Sequence, residues 1–282
     1  MLESLKTPCD NSQNNFCNQN VHTIIFKMLE KYPDWISKTF KPGLFDPPYR
    51  VFENEECVQY IQWYVPFHFP QIETVLREVL DIFRKELRYQ ERPIRILDIG
   101  SGPATVPLAF CRQFDSFSYP FNFNITTLEA SDTFNSMIDI FNANNTNNNI
   151  SIIKKLHYPF DKFTKHAEDS ASQFDWIIMA NFINGIGSNV DDIVIILKEL
   201  FFDLMIVDQP LFFTFIETNS HLANNFWREA SFCTNNIFEE VIHEFNDQKT
   251  FSEIMNCIFY RTGRPWLYKP HIITKTWRLI LT

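Results

Sequence analysis

Apolar positions follow two rhythms along this chain, and the change between them falls at Pro93. Ahead of it, Ile72, Val75, Leu76, Val79, Leu80, Phe83 and Leu87 recur every three or four residues between Gln71 and Tyr89. That spacing predicts an amphipathic helix with one buried stripe. Glu73/Arg77 and Asp81/Lys85 stand four apart, the spacing for ion pairs on its wet face. Glu53 to Tyr64 predicts a second helix, ended by Pro66 and Pro70, after a turn-rich connector from Lys41 to Pro48. Residues 1–20 are polar and read as a flexible tail, and 21–92 as a helical cap.

Beyond Pro93 short apolar runs alternate with helical stretches. Ile94 to Gly100 is a short apolar run that suits a buried parallel strand, and Phe121 to Glu129, Ile150 to Leu156, Phe174 to Ala180 and Leu211 to Ile216 read as four further strands. Between them Pro103–Phe114, Asp132–Phe141, Ser188–Met205 and His221–Phe232 read as helices, and Ser252–Thr282 as a terminal hairpin. Alternation of this kind predicts an α/β fold, a mostly parallel sheet covered on both faces.

Composition narrows the function. The 282 residues suffice for one enlarged domain, 93–282, plus the cap, and can bury a large core. Aromatic residues make up 16% of the chain, 30 of them Phe, so that core is expected to be aromatic. A net charge of −9 disfavours general nucleic-acid binding, which needs a basic face. The six cysteines form no CxxC pair, and no metal site is expected. Cys57 and Cys111 read as small buried hydrophobes. The polar start and the charges inside the most apolar stretch, Ile193 to Ile216, suggest no membrane segment, and scattered thiols suit the cytoplasm.

Candidate chemistry gathers where the first strand hands over to a helix, Ile96-Leu-Asp-Ile-Gly-Ser-Gly-Pro-Ala-Thr105. Gly100 and Gly102 allow a tight turn and close approach of a ligand, and the helix beyond presents free N–H groups. A dinucleotide fingerprint wants a third glycine where Thr105 stands. Glu129, after the second strand, suits the two hydroxyls of a ribose. Ligands of open α/β sheets sit at the carboxyl ends of strands, where Asp98, Glu129 and Asn181 all fall.

The segments Leu97–Ala104, Glu129 and Phe174–Asn181 resemble the class I S-adenosylmethionine (SAM)-dependent methyltransferases. The resemblance implies a Rossmann-like seven-stranded sheet with a reversed last strand. It implies that SAM lies against Asp98, Gly100, Ser101, Gly102 and Ala104, with Glu129, Ala130 and Ser131 at the ribose. His157 and Tyr158 would lie near the adenine, in place of the family's common acidic residue, and Met179, Ala180 and Asn181 near the reacting methyl. Tyr60–Pro70, Phe215–Ser220 and Asn225–Ala230 are also distantly similar to a methyltransferase-like family linked to assembly of the mitochondrial small ribosomal subunit, with Glu217 and Arg228 at matching places. That family's iron–sulfur cysteines are not matched, since only Cys233 and Cys257 lie beyond this helix.

The expected activity is methyl transfer from SAM to an N or O nucleophile of a small molecule or protein. Asn181 would position the acceptor, and Asn184 stands close by in sequence. Tyr60, Trp63, Tyr64, Phe67 and His68 form an aromatic cluster ahead of the domain, in which Tyr64 or His68 would contact the acceptor and His68 or His157 could act as base. The alternatives are a SAM-binding factor acting in ribosome assembly and a nicotinamide oxidoreductase.

Overall fold

A computed structural model describes residues 19–36, 51–86, 92–116, 121–157, 174–182, 190–218, 220–248 and 271–282. Its N-terminal helices are α1 (Gln19–Glu30), α2 (Asn54–Trp63) and α3 (Val65–Glu86). Then follow β1 (Ile94–Ile99), α4 (Thr105–Ser116), β2 (Phe123–Leu128), α5 (Asp132–Asn144), β3 (Ile150–Leu156) and β4 (Trp176–Ala180). The remaining elements are α6 (Val190–Leu204), β5 (Pro210–Thr218), α7 (His221–Glu229), β6 (Ile237–Gln248) and β7 (His271–Leu281). The strands form one seven-stranded sheet in the order β3-β2-β1-β4-β5-β7-β6. β7 runs antiparallel to both neighbours, and the pairings among β1 to β5 are parallel. This is the Rossmann-like sheet with a reversed last strand.

Alternate residues of each strand divide between two cores, as the two-residue period of a strand requires. Ile94, Ile96, Trp176, Ile178 and Phe212 join the buried side chains of α1 to α5. Leu97, Ile99, Ile177, Met179, Phe213 and Trp277 join those of α6 and α7. The Phe-rich composition ends up here: Phe83 packs on Phe212 and Trp176 at centroid distances of 4.3 and 4.5 Å. The N-terminal helices thus share one continuous core with the sheet. Cys57 and Cys111 are buried in it.

Three expectations change. The helix expected over 53–64 is α2, which ends at Trp63 ahead of Pro66, but the next helix starts at Val65 and not at Gln71, so that α3 runs through both prolines. Pro66 falls in its first turn, where a missing N–H costs nothing, and Pro70 removes a single ladder bond from a 22-residue helix anchored by its apolar stripe. The partner of the terminal strand is not within 252–282: β7 pairs with β6, 237–248, and with β5. Glu73 also departs from the wet face, for it forms an ion pair at 3.2 Å with the buried Arg112 of α4. Lys85 lies outside the described side chains.

At the opposite, amino-terminal edge of the sheet Asp175 ties β1 to β4. It accepts two hydrogen bonds from Arg92, at 2.6 and 2.7 Å, and one from the Arg95 backbone N–H at 2.9 Å.

Candidate functional site

The sheet order reverses direction between β1 and β4, and the crevice outside the carboxyl ends of such strands is where ligands bind. Four positions with positive φ cluster there: Gly100 (+68°), Gly102 (+53°), Ala104 (+63°) and Asn181 (+54°). For the two non-glycine residues that conformation is strained, and strain of this kind gathers at functional sites. Gly100 is required by space as well. A Cβ there would lie 2.2 Å from the ring of Phe182, which follows β4.

Glu129 organises the loop. Its two carboxylate oxygens accept the backbone N–H groups of Gly102 at 2.8 Å and Ser131 at 2.9 Å. Burial raises its pKa, against these hydrogen bonds, which hold it down. Ser131 caps α5 by accepting the Phe134 N–H, and its hydroxyl donates to the Phe52 carbonyl at 2.8 Å. Ser101 donates to the Asp98 backbone carbonyl at 2.8 Å. The loop that the sequence singles out is therefore a built, hydrogen-bonded cradle.

Asp98 is buried at the end of β1, and its Oδ2 has no hydrogen-bond partner among the described residues. Burial, and then the nearby Glu129 charge, push its pKa up to about 8. Asn181 likewise has a buried Nδ2 without a partner among the described residues, while its Oδ1 lies 3.4 Å from the Thr218 hydroxyl. A buried polar atom left unsatisfied is uncommon and calls for an explanation, a bound ligand being one. Met179 and Ala180 are buried beside Asn181. His157 is half exposed and bonds the Ala130 carbonyl at 2.8 Å. Tyr158 and Asn184 lie outside the described residues.

Helices α2 and α3 roof the cradle. The Tyr60 ring lies 3.8 Å from where a Gly102 Cβ would stand. It stacks on Tyr64 at 5.7 Å, and its hydroxyl shares a 2.8 Å hydrogen bond with His68 Nδ1. Burial lowers the His68 pKa to about 3, so the imidazole is neutral and tied to the phenol. The Trp63 and Phe67 side chains lie outside the described ones. From α3 the buried Gln71 donates to Thr218 Oγ1 at 3.3 Å, joining roof to β5 and, through Thr218, to Asn181. Tyr60, Gln71 and Thr218 are site residues that the sequence did not single out individually. Glu217, beside Thr218, is buried. Arg228, in contrast, is exposed on α7 and bonds Asn224 and Asn225 of its own helix.

Among the described residues no group of three or more His, Cys, Asp or Glu is placed to hold a metal, and no helix is long and apolar enough to cross a membrane. No protein-family description and no curated protein matches the sequence. Solved structures do match, at low identity. One is described as a SAM-dependent methyltransferase from Streptococcus mutans, with a TM-score of 0.44, 12% identity, and coverage of 72% of this chain and 48% of that one. This chain thus spans about half that protein's length. Another is the plantazolicin methyltransferase BpumL in complex with S-adenosylhomocysteine (SAH), with a TM-score of 0.43, 12% identity, and coverage of 92% and 100%. A third is the magnesium protoporphyrin IX methyltransferase of Synechocystis PCC 6803 with bound SAM, at 0.40, 9%, and 93% and 99%. The structural neighbours are class I SAM-dependent methyltransferases acting on various substrates.

Proposed function

We propose that this protein is a SAM-dependent methyltransferase whose cofactor occupies the cradle of Asp98, Gly100, Ser101, Gly102, Ala104 and Glu129. The observation that carries this reading is the buried, unpartnered Asp98 Oδ2 beside the positive-φ loop Gly100–Gly102. An ammonium group is the partner such an oxygen lacks, and a ribose edge suits Glu129, whose oxygens retain lone pairs beyond those that the backbone uses. Ala130, Ser131 and His157 border the nucleoside side; Met179, Ala180 and Asn181 border the methyl. SAM supplies an activated methyl on a sulfonium, so the protein's task is placement.

Asn181 orients the acceptor through its amide, held by Thr218 and Gln71. Tyr64 and the Tyr60–His68 pair exclude water from above, with the helices of 21–92 serving as cap. His68 serves as a positioning group for Tyr60, because a neutral imidazole with a pKa near 3 is a poor base at neutral pH. The acceptor is an N or O nucleophile of a small molecule or protein; the acidic chain disfavours nucleic acid. A cytoplasmic setting is in keeping with the scattered spacing of the six cysteines.

Thermal melts with SAM, SAH, NAD and ATP test the reading. SAM and SAH at about 100 times Kd should stabilise by about 2.7 kcal/mol, and NAD and ATP should not. A shift with NAD alone would instead favour a nicotinamide enzyme.

A further inference from the structure

One row of register partners crosses five strands: Thr127 of β2, Asp98 of β1, Ile178 of β4, Thr214 of β5 and Thr276 of β7. It lies on the face where Ile178 joins the buried side chains of α1 to α5. At one end of the row the polar groups satisfy one another. Trp176 Nε1 donates to Thr214 Oγ1 at 2.8 Å, and the Thr214 and Thr276 hydroxyls share a 3.0 Å hydrogen bond. At the other end they do not. Asp98 is 1% exposed and Thr127 0%, and neither Asp98 Oδ2 nor Thr127 Oγ1 has a partner among the described residues. These two residues adjoin the cradle. Asp98 stands two residues before Gly100, and Thr127 two before Glu129, the carboxylate that accepts the Gly102 N–H.

Threonine is a common strand residue, so its place in β2 needs no ligand. Its unmet hydroxyl does call for a partner, because a buried hydroxyl without a hydrogen bond destabilises the fold, and valine has nearly the same shape without that cost. Paired strands stand about 4.8 Å apart. A single nitrogen set between the two side chains can therefore reach both oxygens at hydrogen-bond distance. An ammonium group brings three donors and a charge that suits the carboxylate. Resting on the SAM reading above, we infer that Thr127 is a second binding residue for the ligand's amino group: its hydroxyl and Asp98 Oδ2 together receive the ammonium and make the site specific for nucleosides that carry an amino-acid end. SAM and SAH share that group, so Thr127 serves both alike.

Thr127→Val tests this by calorimetric titration with SAM, SAH and 5′-methylthioadenosine, which keeps the nucleoside and the sulfur and lacks the amino-acid end. SAM and SAH should each weaken about tenfold, and 5′-methylthioadenosine should stay within about twofold. Thr127→Ser, which keeps the hydroxyl, should hold SAM within about threefold of wild type. A double-mutant cycle with Asp98→Asn gives a readout that does not depend on the truncated ligand: the two losses should be less than additive, because one group bridges both oxygens. The ligand-free Thr127→Val protein should melt at or above the wild-type temperature. A lower melting temperature, or failure to fold, would show that the hydroxyl is already bonded within the protein and would overturn the inference. SAM affinity within twofold of wild type, an equal loss for 5′-methylthioadenosine, or additive losses in the cycle would do the same while leaving the methyltransferase reading standing. No binding of SAM or SAH to the wild-type protein would overturn both.

Discussion

Glu129 and Gly102 are 27 residues apart, yet the Gly102 N–H donates to the Glu129 carboxylate at 2.8 Å. The second Glu129 oxygen takes the Ser131 N–H at 2.9 Å. One side chain thereby fixes the glycine loop after β1 to the start of α5, and both flank the cradle. Glu129→Gln would set an amide NH2 against one of those N–H groups. A charge-assisted hydrogen bond is worth about 1.5–3 kcal/mol. The variant should lose about that much in SAM affinity, read by calorimetry. An affinity within twofold of the original would remove Glu129 from the ribose end.

Gly100→Ala should be far more damaging than Gly102→Ala. The first puts a Cβ 2.2 Å from the Phe182 ring in a +68° backbone; at the second the nearest atoms are 3.8 Å away. Overpacking costs about 1–3 kcal/mol and a positive φ about 1 kcal/mol more. Urea denaturation should show Gly102→Ala losing only the smaller amount. Equal losses would mean that Phe182 yields freely.

Asp98 links the cradle to pH. Its folded pKa of about 8 lies above the ordinary 3.8, because of burial and Glu129. A group shifted this way contributes stability that is complete below about pH 4 and lost as the pH rises through about 8. Asp98→Asn should therefore stabilise the ligand-free protein at pH 8, by about 1–3 kcal/mol, and weaken SAM binding. In the original protein, binding a cation expels the Asp98 proton. SAM affinity should accordingly climb by up to about tenfold per pH unit between about 6 and 8. A flat profile over that range would show that Asp98 does not face the ligand's charge.

Asp175 provides the contrast, since it sits at the other end of the strands. Burial would raise its pKa, but the hydrogen bonds from Arg92 and Arg95 outweigh that and hold it below the usual range. Its contribution is therefore present above about pH 4 and lost below. Asp175→Asn should cost about 1–3 kcal/mol at pH 7, nothing near pH 2, and leave SAM affinity unchanged. Denaturation at the two pH values measures the first part and calorimetry the second.

The strands β1, β4 and β5 were legible because both of their faces are buried, which leaves nearly continuous apolar runs in the sequence, whereas the edge strand β3 alternates between buried and exposed positions and was read from its β-branched residues. The cradle was legible because the Gly100–Gly102 turn and the carboxylate after the next strand are local signals. β6 was not: Glu239, Glu240, His243 and Glu244 populate an edge strand, and a bulge between Val241 and His243 breaks its alternation. The start of α3 was hidden by Pro66 and Pro70, which act as stops only in a helix interior without tertiary support. Nothing local tells which ring of the Tyr60–His68 cluster faces Gly102. The Gln71–Thr218 contact joins residues 147 apart, a relation that only the folded chain creates.

The most direct test of the central claim is a calorimetric titration of the wild-type protein with SAM at pH 8. One site per chain with a micromolar dissociation constant is expected, lost in Gly100→Ala. A folded protein that produces no binding heat at any temperature from 10 to ~35 °C, together with no shift in melting, would contradict it.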